Sequence, residues 1–331
     1  MTPSMLSPLK EAGQLPHVLD NLGFILANDH CRRNCLHCPA YGDSSPVLFM
    51  PFHRLAQLLD EIRQAYDALG ITPLRSIASW RISDPLDYFV REGPQKRTIY
   101  DVAHLWKTSL RQGLYIVTNG SEGKSFAQHA LRQFIDEPDL VSQIKLTITS
   151  CDQDYGTDKF LADLSEDVSI LSPLWKLPSL RIESPQDTRF RINVKTTDET
   201  CDEMRSFLLK LFQSIGYSLE ASQSLLHDPA KVAIKRIYDL TPEQNSPVIG
   251  AQSIINENKE RYKAAPEREN RFHHGLNLDG SIYARSPFQY GIDPSGFLFI
   301  ANMPAFSTSP FCLNGTHMRL SGFEHEAIVE G

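Results

Sequence analysis

Three cysteines in one short stretch, Cys31-Arg-Arg-Asn-Cys35-Leu-His-Cys38, are the residues of this chain best suited to chemistry. Thiolates are soft ligands, and three so closely spaced can clip a metal centre from a single loop. Zinc sites usually pair cysteines two to four apart and close with a second, distant pair. The remaining cysteines, Cys151, Cys201 and Cys312, stand singly, so no second pair exists. Three ligands without a fourth fit an iron–sulfur cubane whose fourth iron is left open to a small molecule. On these residues alone, zinc or a purely structural cluster remains the alternative.

The elements around this loop can be read from hydrophobic periodicity. Leu22-Gly-Phe-Ile-Leu-Ala27 is a short apolar run that predicts a first strand leading straight into the cysteines. Apolar spacing of three and four predicts a helix over 51–69. Further strands are predicted at 74–80, 113–118, 144–150 and 190–195, with a sixth at 217–221. Helices are predicted between them at 98–112, 124–135, 160–171 and 202–214. Strands alternating with helices imply βαβ units and a parallel sheet. Six units over some two hundred residues fall short of the usual eight-fold barrel of about 250 residues. The expectation is an α/β fold, a partial open (β/α)6 TIM-like barrel over 21–222. An N-terminal arm (1–20) precedes it. A helical plus β-hairpin extension (223–331) is expected to cap it, with helices at 228–239 and 251–262. The extension's hairpin signals are Asp279-Gly280 and Asp293-Pro-Ser-Gly296.

Composition bounds the function. The chain has 331 residues, is 41% hydrophobic and carries a formal charge of -7, enough for one large core and unlike a dedicated nucleic-acid binder. No run is long enough to span a membrane, and residues 1–16 lack a signal-peptide pattern. A cytoplasmic location, where thiols stay reduced, is the expectation. There the six cysteines are a metal and thiol inventory; they do not form a disulfide framework.

The spacing C-x3-C-x2-C after a first strand resembles the signature of the radical S-adenosylmethionine (radical SAM) superfamily. The resemblance covers about residues 20–222, and it implies that Cys31, Cys35 and Cys38 hold a [4Fe-4S] cluster. The open iron would then be chelated by the amino and carboxylate groups of S-adenosylmethionine. His37 stands where the superfamily commonly has an aromatic residue near the adenine; a surface histidine is the plainer reading. Arg81-Ile-Ser-Asp-Pro85, after strand two, resembles the superfamily's Gly-Gly-Glu-Pro element that holds the SAM ammonium. Here Ile82 and Ser83 replace both glycines and Asp84 replaces the glutamate, so Ser83 and Asp84 are candidate ligands. An ordinary Ser-Asp-Pro turn would look the same.

Thr118-Asn119-Gly120 resembles a Thr-Asn-Gly seen at strand three of many members, which makes Asn119 a candidate; Asn-Gly is also a common tight turn. Ser150 and Asp152, at the end of strand four, could bond ribose hydroxyls or the methionine carboxylate. Arg191 and Asn193 share a face of strand five by alternation. The Arg191 fork suits the SAM carboxylate or an anionic substrate, and otherwise a salt bridge to a neighbouring strand.

What the resemblance implies is reductive cleavage of SAM to methionine and a 5′-deoxyadenosyl radical that acts on a substrate. The protein orients the reactants and excludes water and oxygen. A flavodoxin or ferredoxin type electron donor is the implied partner. Cys312 alone cannot hold a second cluster, and with about twenty residues before strand one the expectation is a member without a cobalamin-binding or leader-peptide-binding domain. A small-molecule substrate, in natural-product biosynthesis, is the expectation. Two alternatives stand beside it. One is a non-catalytic protein that uses the loop to hold a metal or cluster for structure or sensing. The other is a nucleic-acid-modifying radical enzyme, which would need a basic rim that Arg32 and Arg33 alone do not supply.

Overall fold

The computed structural model describes residues 4–29, 47–71, 76–79, 83–150, 154–181, 184–196 and 200–236, and, towards the C-terminus, 275–276, 282–283, 288–302, 307–310, 312–313, 316–323 and 328–329. Its organising element is a parallel sheet of four strands: β2 (Leu114–Thr118), β3 (Val141–Thr149), β4 (Phe190–Thr196) and β5 (Val232–Arg236). All three pairings within it are parallel. On its open side, Ala78 forms parallel bridges to Tyr115 of β2 and to Phe24 of β1 (Leu22–Ile25). The backbone hydrogen bonds Ile25 N–H to Ala78 O, and Ala78 N–H to Gly23 O, are both 2.9 Å. Six parallel segments thus lie side by side in chain order, as successive βα units would leave them.

Alternation sorts the sheet into two chemically different faces. Ile116, Ile144, Leu146, Ile148, Phe190, Ile192, Val194 and Val232 are buried on one face. The helices that cover it are α3 (Phe52–Leu69), α5 (Ser125–Asp136), α6 (Asp158–Leu171) and α7 (Cys201–Ser214), and they share its hydrophobic core. Trp175 stacks on Phe190 with ring centroids 5.1 Å apart. The opposite face carries Tyr115, Lys145, Arg191, Asn193 and Lys195, all half-buried.

Several boundaries agree with the periodicity, and four features depart from it. The N-terminal arm folds into two short helices, α1 (Ser7–Glu11) and α2 (Leu15–Asp20), and Met5, Leu6 and Leu9 are buried in the main core. The helix expected over 98–112 is an α-helix, α4 (Ile99–Leu105), that widens into a π-helical turn, Trp106–Leu110, where Trp106 Nε1 donates to Ile77 O at 3.2 Å. Residues 217–221 are not the sixth strand. Ser218 caps a helix there, α8 (Leu219–Leu226), its hydroxyl accepting from Ala221 N–H at 3.2 Å. The sixth parallel strand is β5, inside the segment expected to be helical at 228–239, and the parallel set therefore runs beyond residue 222. The helix expected at 251–262 lies outside the described residues.

The C-terminal hairpin β6 (Phe288–Ile292) and β7 (Leu298–Asn302) turns at Asp293-Pro-Ser-Gly296, as its sequence signals. Asp293 Oδ1 accepts from the Ser295 and Phe297 N–H groups, both at 2.9 Å, and Gly296 supplies φ +78°. β6 pairs in parallel with β1, so the hairpin extends the sheet sideways.

Candidate functional site

The strand ends on the Asn28 side of the sheet are held together by one carboxylate. Asp84 is 6% exposed and caps the short 3-10 turn Pro85–Asp87, its Oδ1 accepting from Leu86 N–H at 3.0 Å. Its Oδ2 accepts from Thr118 Oγ1 at 2.9 Å and from Asn119 N–H at 2.8 Å. The Asp84 carbonyl accepts from Asn28 Nδ2 at 2.9 Å. The segment entering the cysteine loop, the loop after Ala78 and the end of β2 are thereby joined at one residue. Burial, and then the nearby charge of Asp87, push the Asp84 carboxyl up to about 7, against the three hydrogen bonds that pull it down.

A second tier braces the same end. Asp87 is buried and pairs with Lys124 Nζ at 2.7 Å, and Lys124 also meets Glu122 at 2.7 Å. Ser121 donates to the buried Asp167 through its N–H at 2.7 Å and its hydroxyl at 2.6 Å. Burial holds the Asp167 carboxyl up at about 6. Gly120, at φ +105°, leaves only 2.7 Å between a would-be Cβ and Asp167 Oδ2, so the turn after β2 has no room for a side chain there.

Three buried polar atoms beside this brace have no hydrogen-bond partner: Asn28 Oδ1, Ser79 Oγ and Ser83 Oγ. Buried polar groups are seldom left unsatisfied, and orphans that cluster point to a missing polar ligand. Ser83 precedes Asp84, Asn28 donates to Asp84 O, and Ala27 N–H donates to Ser79 O at 3.2 Å, so all three belong to one neighbourhood. An ammonium or hydroxyl group would satisfy them.

The fold treats the residues singled out from sequence unequally. Ser83, Asp84 and Asn119 come together at the strand ends, although the Asp84 carboxylate already meets three donors of its own chain. Ser150 lies at the end of β3, where it receives a hydrogen bond from Thr200 Oγ1 at 2.9 Å. Asn193 sits mid-strand on the polar face. Arg191 is not brought to the strand ends. It is the second residue of β4, five residues before Thr196, or roughly 16 Å at about 3.3 Å per residue. Its guanidinium pairs with Asp187 at 2.9 Å, just ahead of its own strand and not across to a neighbour. Cys31, Cys35, Cys38, His37 and Asp152 lie outside the described residues, and among the described ones no three His, Cys, Asp or Glu side chains are grouped to hold a metal. Sequence reading passed over Asn28 and Ser79; the one signal for Asn28 was a polar residue between an apolar strand and Cys31.

No protein-family model matches this chain, and no curated protein matches it. No helix among the described residues is long and apolar enough to cross a membrane. The functional reading therefore stands on the cysteine loop and on the strand-end geometry.

Proposed function

We propose that this chain is a radical SAM enzyme acting on a small molecule. In this reading its parallel strands form a partial, open (β/α)6 barrel, and Cys31, Cys35 and Cys38 hold a [4Fe-4S] cluster beyond the end of β1. The carrying observation is the link between two segments that the cofactor would need close together. Asn28, three residues ahead of Cys31, donates to the backbone of Asp84 in the loop that resembles the ammonium-binding element.

The residues fit the group. Thiolates are the donors an iron–sulfur cluster takes, and the orphaned oxygens of Asn28, Ser79 and Ser83 fit the ammonium of a bound methionine moiety. When bound, cluster and S-adenosylmethionine supply a reductively generated 5′-deoxyadenosyl radical. The chain's own work is to orient and to exclude water. Asp84 fixes the loop by which Ser83 and Asn119 approach the ligand, and the Lys124–Asp87 pair stiffens that loop from behind. Buried, fully braced side chains hold a ligand without reorganising, which is what a reactive intermediate requires. The proposed electron donor is a small ferredoxin or flavodoxin, and the location cytoplasmic.

Metal content and spectroscopy test the centre. Anaerobically reconstituted protein should bind about four irons and four sulfides per chain. After reduction it should give an electron paramagnetic resonance signal that S-adenosylmethionine shifts. Zinc in place of iron, or a signal indifferent to S-adenosylmethionine, would favour the structural or sensing alternative.

A further inference from the structure

We propose that a cation seated on the orphaned oxygens of Asn28, Ser79 and Ser83 drives a proton off Asp84, so that ligand binding at the strand ends is coupled to proton release. Only the name of that cation, the ammonium of a methionine moiety, rests on the proposed function. The seat is withdrawn from water: Asn28 and Ser79 are 0% exposed and Ser83 is 8% exposed, and each keeps an oxygen without a hydrogen-bond partner. The Asn28 amide shows what must come. Its nitrogen donates to Asp84 O at 2.9 Å, which fixes Oδ1 as the orphan, and an amide oxygen can only accept. The ligand therefore brings the donor.

Asp84 adjoins this seat, since Ser83 precedes it and Asn28 bonds its carbonyl. Three donors already meet its carboxylate, so it acts on a ligand through charge. Two of them, Leu86 N–H and Asn119 N–H, are backbone groups that cannot turn away. The Thr118 hydroxyl can. It donates to Asp84 Oδ2 at 2.9 Å while accepting from Gly120 N–H at 3.0 Å. A hydroxyl has one hydrogen and two lone pairs, so turning that hydrogen lets Thr118 accept from a protonated Oδ2 across the same 2.9 Å. A proton thus has a ready place on Oδ2 and can leave it without any heavy atom moving.

The charged groups described around this carboxyl leave it poised. Asp87, on its own turn, opposes its ionisation. Lys124, from the turn ahead of α5, meets both Asp87 and Glu122 at 2.7 Å. Asp29 follows Asn28 on the segment entering the cysteine loop, and Asp167 lies behind Ser121 on the far side of β2. Burial and Asp87 together place the Asp84 carboxyl at about 7 in the ligand-free chain. A positive charge brought beside it favours the ionised form. Below pH 7 the ligand must therefore expel a proton, and above pH 7 it meets a carboxylate that is already bare.

Calorimetric titration of the full chain, purified anaerobically, with L-methionine at pH 6, 7 and 8 tests this, because the ammonium of free methionine stays charged throughout. Binding should be about tenfold weaker at pH 6 than at pH 8, since about a tenth of the sites are ionised at pH 6 and about nine tenths at pH 8. Repeating the titration in buffers of different ionisation enthalpy should count about one proton released per ligand at pH 6 and close to none at pH 8. Thr118→Val removes a donor from the ionised carboxylate, so it should move the midpoint of the pH dependence above 7, and Thr118→Ser should return it. Equal affinity at pH 6 and pH 8, or a midpoint unmoved in Thr118→Val, would overturn the coupling. Failure of methionine to saturate up to about 50 mM at any pH would overturn the seat itself. The Cys31/Cys35/Cys38→Ala chain should show the same pH dependence, so a failed radical assignment and a failed proton coupling give different results.

Discussion

Asp84 and Asp167 are two carboxylates that the fold keeps from water and surrounds with donors, and each braces a strand end. Asp167 offers the simpler test, since Ser121 supplies both of its hydrogen bonds. Burial raises its carboxyl from 3.8 to about 6, so between roughly pH 4 and 6 the folded chain keeps a proton that the unfolded chain has lost. Stability from this group is therefore full below pH 4 and is lost as pH rises through 6, by about 3 kcal/mol across the window. Asp167→Asn, which cannot ionise, should flatten that decline when urea midpoints are compared at successive pH values. An unchanged slope would show that Asp167 is ionised throughout. The residue scale also marks what sequence could offer. Ser83, Asp84 and Asn119 were legible because a short motif names them, but Thr118 as a ligand of Asp84 needs a contact across 34 positions. Arg191 was legible by face and not by height. Alternation gives the side of a strand, while the distance to its end depends on where pairing begins.

At the scale of elements, β2 depends on a close approach that only glycine allows. A Cβ on Gly113 would stand 2.6 Å from Ser142 N and 2.7 Å from Val141 C, both backbone atoms of the neighbouring strand. Backbone cannot swing aside as a side chain can, so Gly113→Ala should cost at least 2–3 kcal/mol, about the range of a forced core overlap. Denaturant unfolding measures it. A change under about 0.5 kcal/mol, the size of an ordinary surface substitution, would mean that the two strands are not packed this tightly. Most strands and helices were legible, because buried parallel strands read as apolar runs and α5, α6 and α7 carry helical spacing. The sixth strand was not. Tyr217 and Leu219 resemble the start of a strand, but the Ser218 hydroxyl caps a helix and so settles the local competition. Val232-Ala-Ile234 is then the β-branched run that pairs with β4. The hairpin Phe89–Glu92 with Gln95–Thr98 escaped notice for the opposite reason: its strands are short and mostly polar, and Phe89 and the buried Val90 are adjacent, so they show no period.

At the scale of the molecule, one sheet divides two kinds of chemistry. Its helix-covered face is a dry core, and its other face is polar and cationic. Its strand ends carry the Asp84 brace and three unsatisfied oxygens beside the segment that enters the cysteine loop. Composition foretold the core. The two-faced sheet emerges only from the register, because Lys145, Arg191 and Lys195 fall on one side once β3 and β4 are aligned. The central claim is that the cysteine loop and the strand ends together perform radical chemistry on S-adenosylmethionine. Release of 5′-deoxyadenosine from S-adenosylmethionine, by anaerobically reconstituted protein with dithionite, measures this most directly. The account predicts that the wild-type chain releases it and that the Cys31/Cys35/Cys38→Ala chain does not. Reconstituted wild type that carries its iron and sulfide and still releases none would contradict the account.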